Sequence, residues 1–200
     1  ESIDNQQYDL ASGYFKTLIA KCPTASQNIF VNGIKLYQKR IAKSKTLAEK
    51  KANVDSLMWA YDLRNQYFGS HAKYGSAYIL ERKARELLTY RPSDREGVRE
   101  LFEETIAAQA AINSVDPEVV AIYFKNLCDD YAQDLVDAMQ IVTAYDENAK
   151  YFENITEEKH PFKAQFEESF SMSGAASCDN LEAIFSKKLA AEPNNVDLLN

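Results

Sequence analysis

An all-α fold of about nine helices is the fold class that the sequence predicts. The 200 residues include six glycines and five prolines, about half the average usage of these two residue types. A sandwich or barrel needs a turn every ~8–12 residues, and so few turn-forming residues cannot supply them. Apolar residues also recur at intervals of three and four along nearly the whole chain, which is the period of amphipathic helices.

Three helices are predicted in the first third of the chain. The first covers residues 7–21 and stops at Pro23, because proline cannot continue a helix. The second carries apolar residues at helical spacing over 29–41, and the third does so over 54–68. The charged residues 42–51 between them form either an exposed turn or the start of the third helix.

Capping signals separate the next three helices. The fourth is predicted over residues 72–89 and is broken at Pro92. Asp94 then caps the fifth helix, since an aspartate oxygen can accept hydrogen bonds from the first backbone N–H groups. Asp116 and Pro117 cap and open the sixth helix, which has proline at its first position.

The last three helices are predicted around a polar bend. The seventh covers about 135–152, and residues 154–161 form the bend. The ninth begins at a capping Asp179 and ends at Pro193. The eighth, between them, carries one apolar stripe of three phenylalanines: Phe162, Phe166 and Phe170. No glycine- or serine-rich tract is long enough to be a linker, so residues 1–200 are predicted to form one domain.

The net charge of the chain argues against a nucleic-acid partner, and its hydropathy argues against a membrane-spanning segment. The net charge of −7 would repel phosphate backbones, so no nucleic acid is predicted as a partner. The densest basic stretch, residues 35–51, is interpreted as a solvated helix face and loop. No run approaches ~18 apolar residues, so no transmembrane segment is predicted.

No catalytic or metal-binding motif is present in a complete form. Glu157 and His160 have Glu-x-x-His spacing, but a di-iron bundle needs this pair twice. The other histidine, His71, has Phe68 three residues before it. The chain also lacks a GxSxG elbow and a glycine-rich phosphate loop. We therefore predict no metal, no cofactor and no enzymatic activity, and interpret His160 as a surface bend residue.

The three cysteines leave the redox state open. No CxxC pair occurs, which argues against zinc-ribbon or thioredoxin chemistry. One disulfide with one free thiol fits an oxidising compartment, and three thiols fit a reducing one. Cys22 and Cys178 lie at predicted helix boundaries and are the candidate disulfide pair, whereas Cys128 lies within a predicted helix.

Three stretches follow the residue spacing of a known helical repeat. Residues 11–23 have the spacing of its second helix, and residues 181–195 have it again. Residues 28–37 match its first helix, with a bulky Ile29 at the fourth position and a small Gly33 at the eighth, where the paired helix crosses closest. On these residues the chain resembles the tetratricopeptide repeat, which implies antiparallel helix pairs stacked in a right-handed superhelix.

The resemblance is incomplete in the middle of the chain. Glu81 stands where the repeat has a small residue, and the charged residues 42–51 interrupt the period of about 34 residues. Segments 22–33, 61–69 and 173–178 are similar to exported tetratricopeptide-like proteins of Bacteroidetes-type bacteria.

That similarity implies a removed leader and a periplasmic or cell-envelope location, with the cytoplasm as the alternative. Because residues 194–200 look like the opening of another helix, we expect the chain to be the N-terminal part of a longer solenoid.

The repeat resemblance implies a non-enzymatic protein-binding scaffold or assembly module. Its concave face would hold a protein or peptide partner, with Arg82 and Arg85 pairing with acidic groups. The lysine/asparagine clamp of chaperone-binding repeats is not evident, since Phe30 and Ile34 occupy its places. The predicted peptide-binding groove comprises Phe30, Ile34, Tyr37, Gln38, Tyr78, Arg82, Arg85 and Lys125. The groove positions of the repeat also correspond to Gln27, Glu86 and Asp129 in this chain.

The alternative function is binding of a glycan or small ligand within an envelope nutrient-uptake system. Aromatic side chains can stack on sugars, and the chain has 12 tyrosines. The single tryptophan, Trp59, falls within a core-like stripe, which argues against a lectin-type platform.

Overall fold

The computed structural model describes residues 7–182 and residue 186. This part of the chain is helical and contains no strand, so the predicted all-α class is confirmed. The eight helices with defined ends are α1 (Tyr8–Lys21), α2 (Asn28–Lys43), α3 (Leu47–Phe68), α4 (Ser76–Tyr90), α5 (Arg95–Ala110), α6 (Pro117–Tyr131), α7 (Ala138–Ala149) and α8 (His160–Ser173). Two short 3-10 turns, Lys150–Phe152 and Glu157–Lys159, join α7 to α8. Residues 178–182 begin a ninth helical segment, and the predicted end of that helix at Pro193 lies outside the described residues. The predicted cap at Asp179 is wrong, because the segment begins one residue earlier and the Ser177 hydroxyl accepts from the Asn180 N–H.

The chain divides into two compact units, Glu1–Ile112 and Asn113–Asn200. The first contains α1–α5 and the second contains α6–α8. Each unit has its own buried apolar core. The organisation of residues 1–200 as a single domain stays a prediction.

Two of the predicted caps are present. The Asp94 carboxylate accepts from the Gly97 N–H at the start of α5. Asp116 accepts from the Glu118 N–H at the start of α6, and Pro117 is the first helical residue. These contacts satisfy backbone donors that have no partner within the helix, which is why the predicted starts of α5 and α6 are close to those observed.

Capping boxes fix the start of α3, which the sequence leaves open, and that of α7, which lies three residues after the predicted start at about 135. Thr46 accepts from the Glu49 N–H while the Glu49 carboxylate accepts from the Thr46 N–H. The charged stretch 42–51 therefore contains the end of α2, a turn over 44–46 and the first residues of α3. Asp137 and Gln140 form the same reciprocal pair at the start of α7.

Consecutive helices pack against one another in the first unit. α2 lies against α3 and α4 against α5 over their lengths, and smaller contacts join α1 to α2 and α3 to α4. α1 crosses α2 at Gly33, where the Phe15 ring occupies the space that a Cβ atom would need. The predicted close helix crossing at Gly33 is therefore confirmed, and a side chain at this position would displace Phe15 from the core.

An aromatic cluster holds the second unit together. Phe166 of α8 is buried against the rings of Phe124 in α6, Tyr145 in α7 and Phe152, with ring centroids 4.5, 4.9 and 4.6 Å away. Phe170, one turn later, stacks on Tyr145 at 3.9 Å. The predicted phenylalanine stripe does lie on a helix, and its central member faces the core. α6 packs more extensively against α8 than against α7, which is consistent with this cluster.

Candidate functional site

Three of the predicted groove residues lie in the core of the first unit. Phe30, Ile34 and Tyr37 are 0%, 7% and 4% exposed. The Phe30 ring contacts the rings of Phe15, Tyr67 and Phe68, and the Tyr37 ring also contacts Phe15. We therefore correct the groove assignment of these three residues, because α1 and α3 cover the face of α2 on which they lie.

The polar groove residues of α2 and α4 do meet. Gln38 of α2 donates to the Glu86 carboxylate of α4. On the neighbouring turn of α4, Glu81 accepts from Arg85 at 3.0 Å and from Gln109 of α5 at 3.1 Å. Arg85 is thus engaged within the unit. The Gln38–Glu86 contact joins the two helices that the repeat resemblance assigned to the groove.

Tyr78 of α4 lies between two guanidinium groups. The Arg64 guanidinium of α3 is 5.5 Å from the centroid of the Tyr78 ring, and that of Arg82 is 4.8 Å from it. Both distances are in the range of cation–π attraction. In the described part of the chain, no ion pair joins either arginine to a carboxylate. One aromatic ring therefore contacts two guanidinium groups, of which that of Arg64 is buried and that of Arg82 is exposed.

Arg64 is the most unusual member of this group because it is buried. Its exposed fraction is 5%. Its Nη2 donates to the Gln27 side-chain oxygen at 3.1 Å, and its Nε has no hydrogen-bond partner among the described residues. Burial lowers the pKa of the Arg64 guanidinium, because a charge is poorly solvated away from water.

Tyr61 supplies a neutral hydroxyl to the same cluster. Its side chain is 2% exposed, and burial raises its pKa well above the usual tyrosine range. The Glu86 carboxylate raises the pKa further, whereas the charges of Arg82 and Arg64 lower it. We name Gln27, Tyr61, Arg64, Tyr78 and Arg82 the Arg64 site.

Aromatic side chains border the Arg64 site. The Tyr74 ring meets the Tyr78 ring edge-on at 5.1 Å and stacks on His71 at 5.7 Å. Tyr74 and Tyr67 are each 36% exposed. The site therefore combines unneutralised cations with accessible aromatic surface, which suits a ligand that carries both a negative charge and an apolar part.

Lys125, the remaining predicted groove residue, lies in the second unit. It is exposed on α6 and pairs with Asp129, one turn later, at 2.8 Å. Exposed ion pairs of this kind contribute little to stability.

Sequence reasoning named Gln27, Tyr78 and Arg82 but missed Arg64 and Tyr61. A signal for Arg64 was present, because it continues the apolar stripe that runs through Leu57 and Tyr61 on α3. An arginine on the buried face of an amphipathic helix needs a partner inside the protein. The sequence did not indicate that Gln27, 37 residues earlier, would be that partner.

Trp59 is more exposed than its sequence pattern predicts. It is 40% exposed, and its ring meets the Phe15 ring in an edge-to-face contact at a centroid distance of 6.0 Å. The expectation that Trp59 lies within the core is therefore wrong. Its neighbours Met58 and Ala60 are buried in its place, because α3 turns those positions toward the adjacent helices.

All three cysteines lie in the described part of the chain and are free thiols there. The predicted disulfide between Cys22 and Cys178 is not formed in this structure. Cys22 is half-buried, Cys178 is exposed and Cys128 is buried in α6. Burial, with a smaller contribution from Asp129, raises the pKa of Cys128 to about 12.

We expect alkylation of the folded protein to follow this order. At pH 8, iodoacetamide should modify Cys178 first and Cys22 next, and Cys128 about a hundredfold or more slowly, since the thiolate is the reactive form. Mass spectrometry of tryptic peptides at timed intervals measures the three rates. In urea all three should react alike. Resistance of both Cys22 and Cys178 until a reductant is added would instead show that they form a disulfide.

Within the described residues, no three histidine, cysteine or carboxylate side chains come together as metal ligands would. His160 is exposed at the start of α8. Across the same range, each helix is too short or too polar to cross a bilayer.

Comparisons with known proteins leave the chain without a match. No family model, no curated protein and no solved structure matches it. Inferences about function therefore rest on the residues and their geometry.

Proposed function

We propose that this chain is a non-enzymatic protein-binding scaffold that holds a peptide segment on the face formed by α2, α3 and α4. The observation that carries the proposal is the Arg64 site, in which two arginines face one tyrosine ring without a carboxylate partner among the described residues. Arg64 is a buried cation with no carboxylate partner among the described residues, which costs stability, and recognition of a ligand would account for it. Arg82 is exposed and can contact the same ligand.

The chemistry of the Arg64 site supports binding over catalysis. Guanidinium groups and a tyrosine of strongly raised pKa do not exchange protons near neutral pH. General acid–base catalysis needs groups that do so. Such a cluster can orient and neutralise a ligand.

Stacked helix pairs provide a rigid support for such a face. The packing of α2 on α3 and of α4 on α5 supports the tetratricopeptide-like arrangement, including the right-handed superhelix, that we propose for the chain. The location that we propose is the periplasm or cell envelope, with the cytoplasm as the alternative, and it rests on the residue resemblance described above.

Binding of a glycan is the second candidate function, and Trp59 is the observation that favours it. Trp59 is 40% exposed and meets the Phe15 ring in an edge-to-face contact, and its exposed part provides aromatic surface for stacking on a sugar. A reproducible rise in melting temperature with members of a glycan panel, lost on Trp59→Ala, would favour this function over peptide binding.

The proposed function is tested by selecting peptides on the full chain. We expect an array of random dodecapeptides to contain sequences that bind the protein and bind Arg82→Gln at least about tenfold more weakly, since one charge-assisted contact is worth ~1.5–3 kcal/mol. Lys39→Gln, which removes one exposed charge from α2, is the matched control and should leave binding unchanged. Absence of binding sequences, or equal binding by Arg82→Gln, would contradict the proposal.

A further inference from the structure

One edge of the Arg64 guanidinium makes one of its two possible hydrogen bonds among the described residues. The Nε and Nη2 hydrogens of arginine point to the same side and form a fork that matches the two oxygens of a carboxylate. In this structure Nη2 donates to the Gln27 side-chain oxygen at 3.1 Å. Nε, which is buried, donates to no atom of the described residues. The fork therefore meets the single side-chain oxygen of Gln27, whereas a carboxylate would offer it two acceptor oxygens.

The side chains around the Nε–Nη2 fork of Arg64 provide it with no paired negative charge among the described residues. The groups that interact electrostatically with Arg64 are two tyrosines and the positive Arg82. The charged Glu86 carboxylate raises the pKa of Tyr61 and accepts from Gln38, but it forms no ion pair with Arg64 among the described residues. A buried cation without an anion is costly, and an added carboxylate would remove that cost.

A ligand can displace the Gln27 side chain from Arg64. It lies just before α2 and is half-exposed, and its backbone carbonyl accepts from the first turn of that helix. The side-chain contact of Gln27 in the structure is the bond to Arg64. Moving this side chain costs one hydrogen bond, whereas an incoming carboxylate forms two that are charge-assisted on both sides.

We propose that the Arg64 fork binds a carboxylate of an acidic peptide, which displaces the Gln27 side-chain oxygen and is also attracted by Arg82. This inference rests on the proposed peptide-binding function and specifies the chemistry of the partner. The exposed aromatic surface of Tyr74, whose ring contacts Tyr78, lies beside the site and contacts apolar groups that flank the acidic residue. The carboxylate is that of an aspartate or glutamate side chain or of the peptide's C-terminus, and the experiment separates these two sources.

The first test introduces a carboxylate next to the fork by a substitution in the protein itself. We expect Gln27→Glu to raise the melting temperature by about 4 °C, because the new side chain satisfies both Nε and Nη2. Gln66→Glu, the same change at an exposed position of α3, should have little effect. In the Arg64→Met background, Gln27→Glu should no longer stabilise the protein. No gain over Gln66→Glu would overturn the inference.

The second test uses the dodecapeptide array with each peptide N-acetylated and made with both a free and an amidated C-terminus. Binding sequences should be enriched in aspartate or glutamate if a side chain occupies the fork, or should lose affinity on amidation if the terminus does. Replacing the acidic residue by its amide, or using Gln27→Glu protein, should weaken binding at least about tenfold. If amidation of the C-terminus, replacement of the acidic residue and Gln27→Glu all left binding unchanged, the inference would be overturned. The proposed scaffold function would not be affected.

The two proposals fail in different ways. If no peptide of the array binds, the proposed function fails and with it the peptide partner. The melting temperatures of Gln27→Glu and its controls are measured without any peptide, so they still decide whether the fork accepts a carboxylate.

Discussion

Phe30→Ala is expected to lower the free energy of unfolding by roughly 3–5 kcal/mol, as is usual when a fully buried phenylalanine is truncated. Phe30 has no exposed surface, and its ring meets those of Phe15, Tyr67 and Phe68 at 6.2, 5.8 and 5.8 Å. Truncation removes these contacts and leaves a cavity that the helices cannot fill without moving. Urea unfolding followed by Trp59 fluorescence measures the change, since Trp59 packs on Phe15.

Val31→Ala provides the matched control for this prediction. Val31 is the next residue of α2 and is 39% exposed, so its truncation should cost less than about 1 kcal/mol. The comparison also decides the role of Phe30. If Phe30→Ala left stability unchanged but abolished peptide binding, Phe30 would belong to the groove, as the repeat resemblance implies, and the core assignment would be wrong.

Phe166→Ala is expected to have an effect of similar size in the second unit, again roughly 3–5 kcal/mol. Phe166 is 1% exposed and packs against Phe124, Tyr145 and Phe152. Its removal takes away a ring that all three of these aromatic side chains contact. Hydrogen exchange measured by mass spectrometry should show faster exchange of the α6 and α8 amides, because the opening that exposes them becomes more frequent.

Met172→Ala is the control on the same helix. Met172 is 78% exposed near the end of α8, so its truncation should leave exchange of the α6 amides within about threefold of the parent protein. Equal effects of the two substitutions would show that α8 does not dock through Phe166 and would contradict the aromatic core described for this unit.

Helix positions could be predicted from residue pattern because their determinants are local. Asp94, Asp116 and Pro117 act on backbone groups within one turn, and the structure places helix starts beside them. The capping boxes at Thr46 and Asp137 are equally local. They could have been recognised from the glutamate or glutamine three residues later.

The candidate site could be predicted only in part. Gln27, Tyr78 and Arg82 were indicated by their places in the repeat pattern, and the structure brings them to one cluster. Phe30, Ile34 and Tyr37 shared that pattern but are buried. Periodicity identifies the apolar face of a helix, but it does not state how many neighbouring helices cover that face.

Residue order and spacing were sufficient for the all-α class, the approximate helix boundaries and the close crossing at Gly33, since each depends on contacts or conformations of a few neighbouring residues. The packing of α2, α3 and α4 was needed to turn Trp59 partly outward and to bury Arg64 with half of its fork unpaired. These features depend on side chains far apart in sequence, such as Gln27 and Arg64, 37 residues apart. Their distance is set by how whole helices pack, and a pattern read along one helix contains no information on that packing.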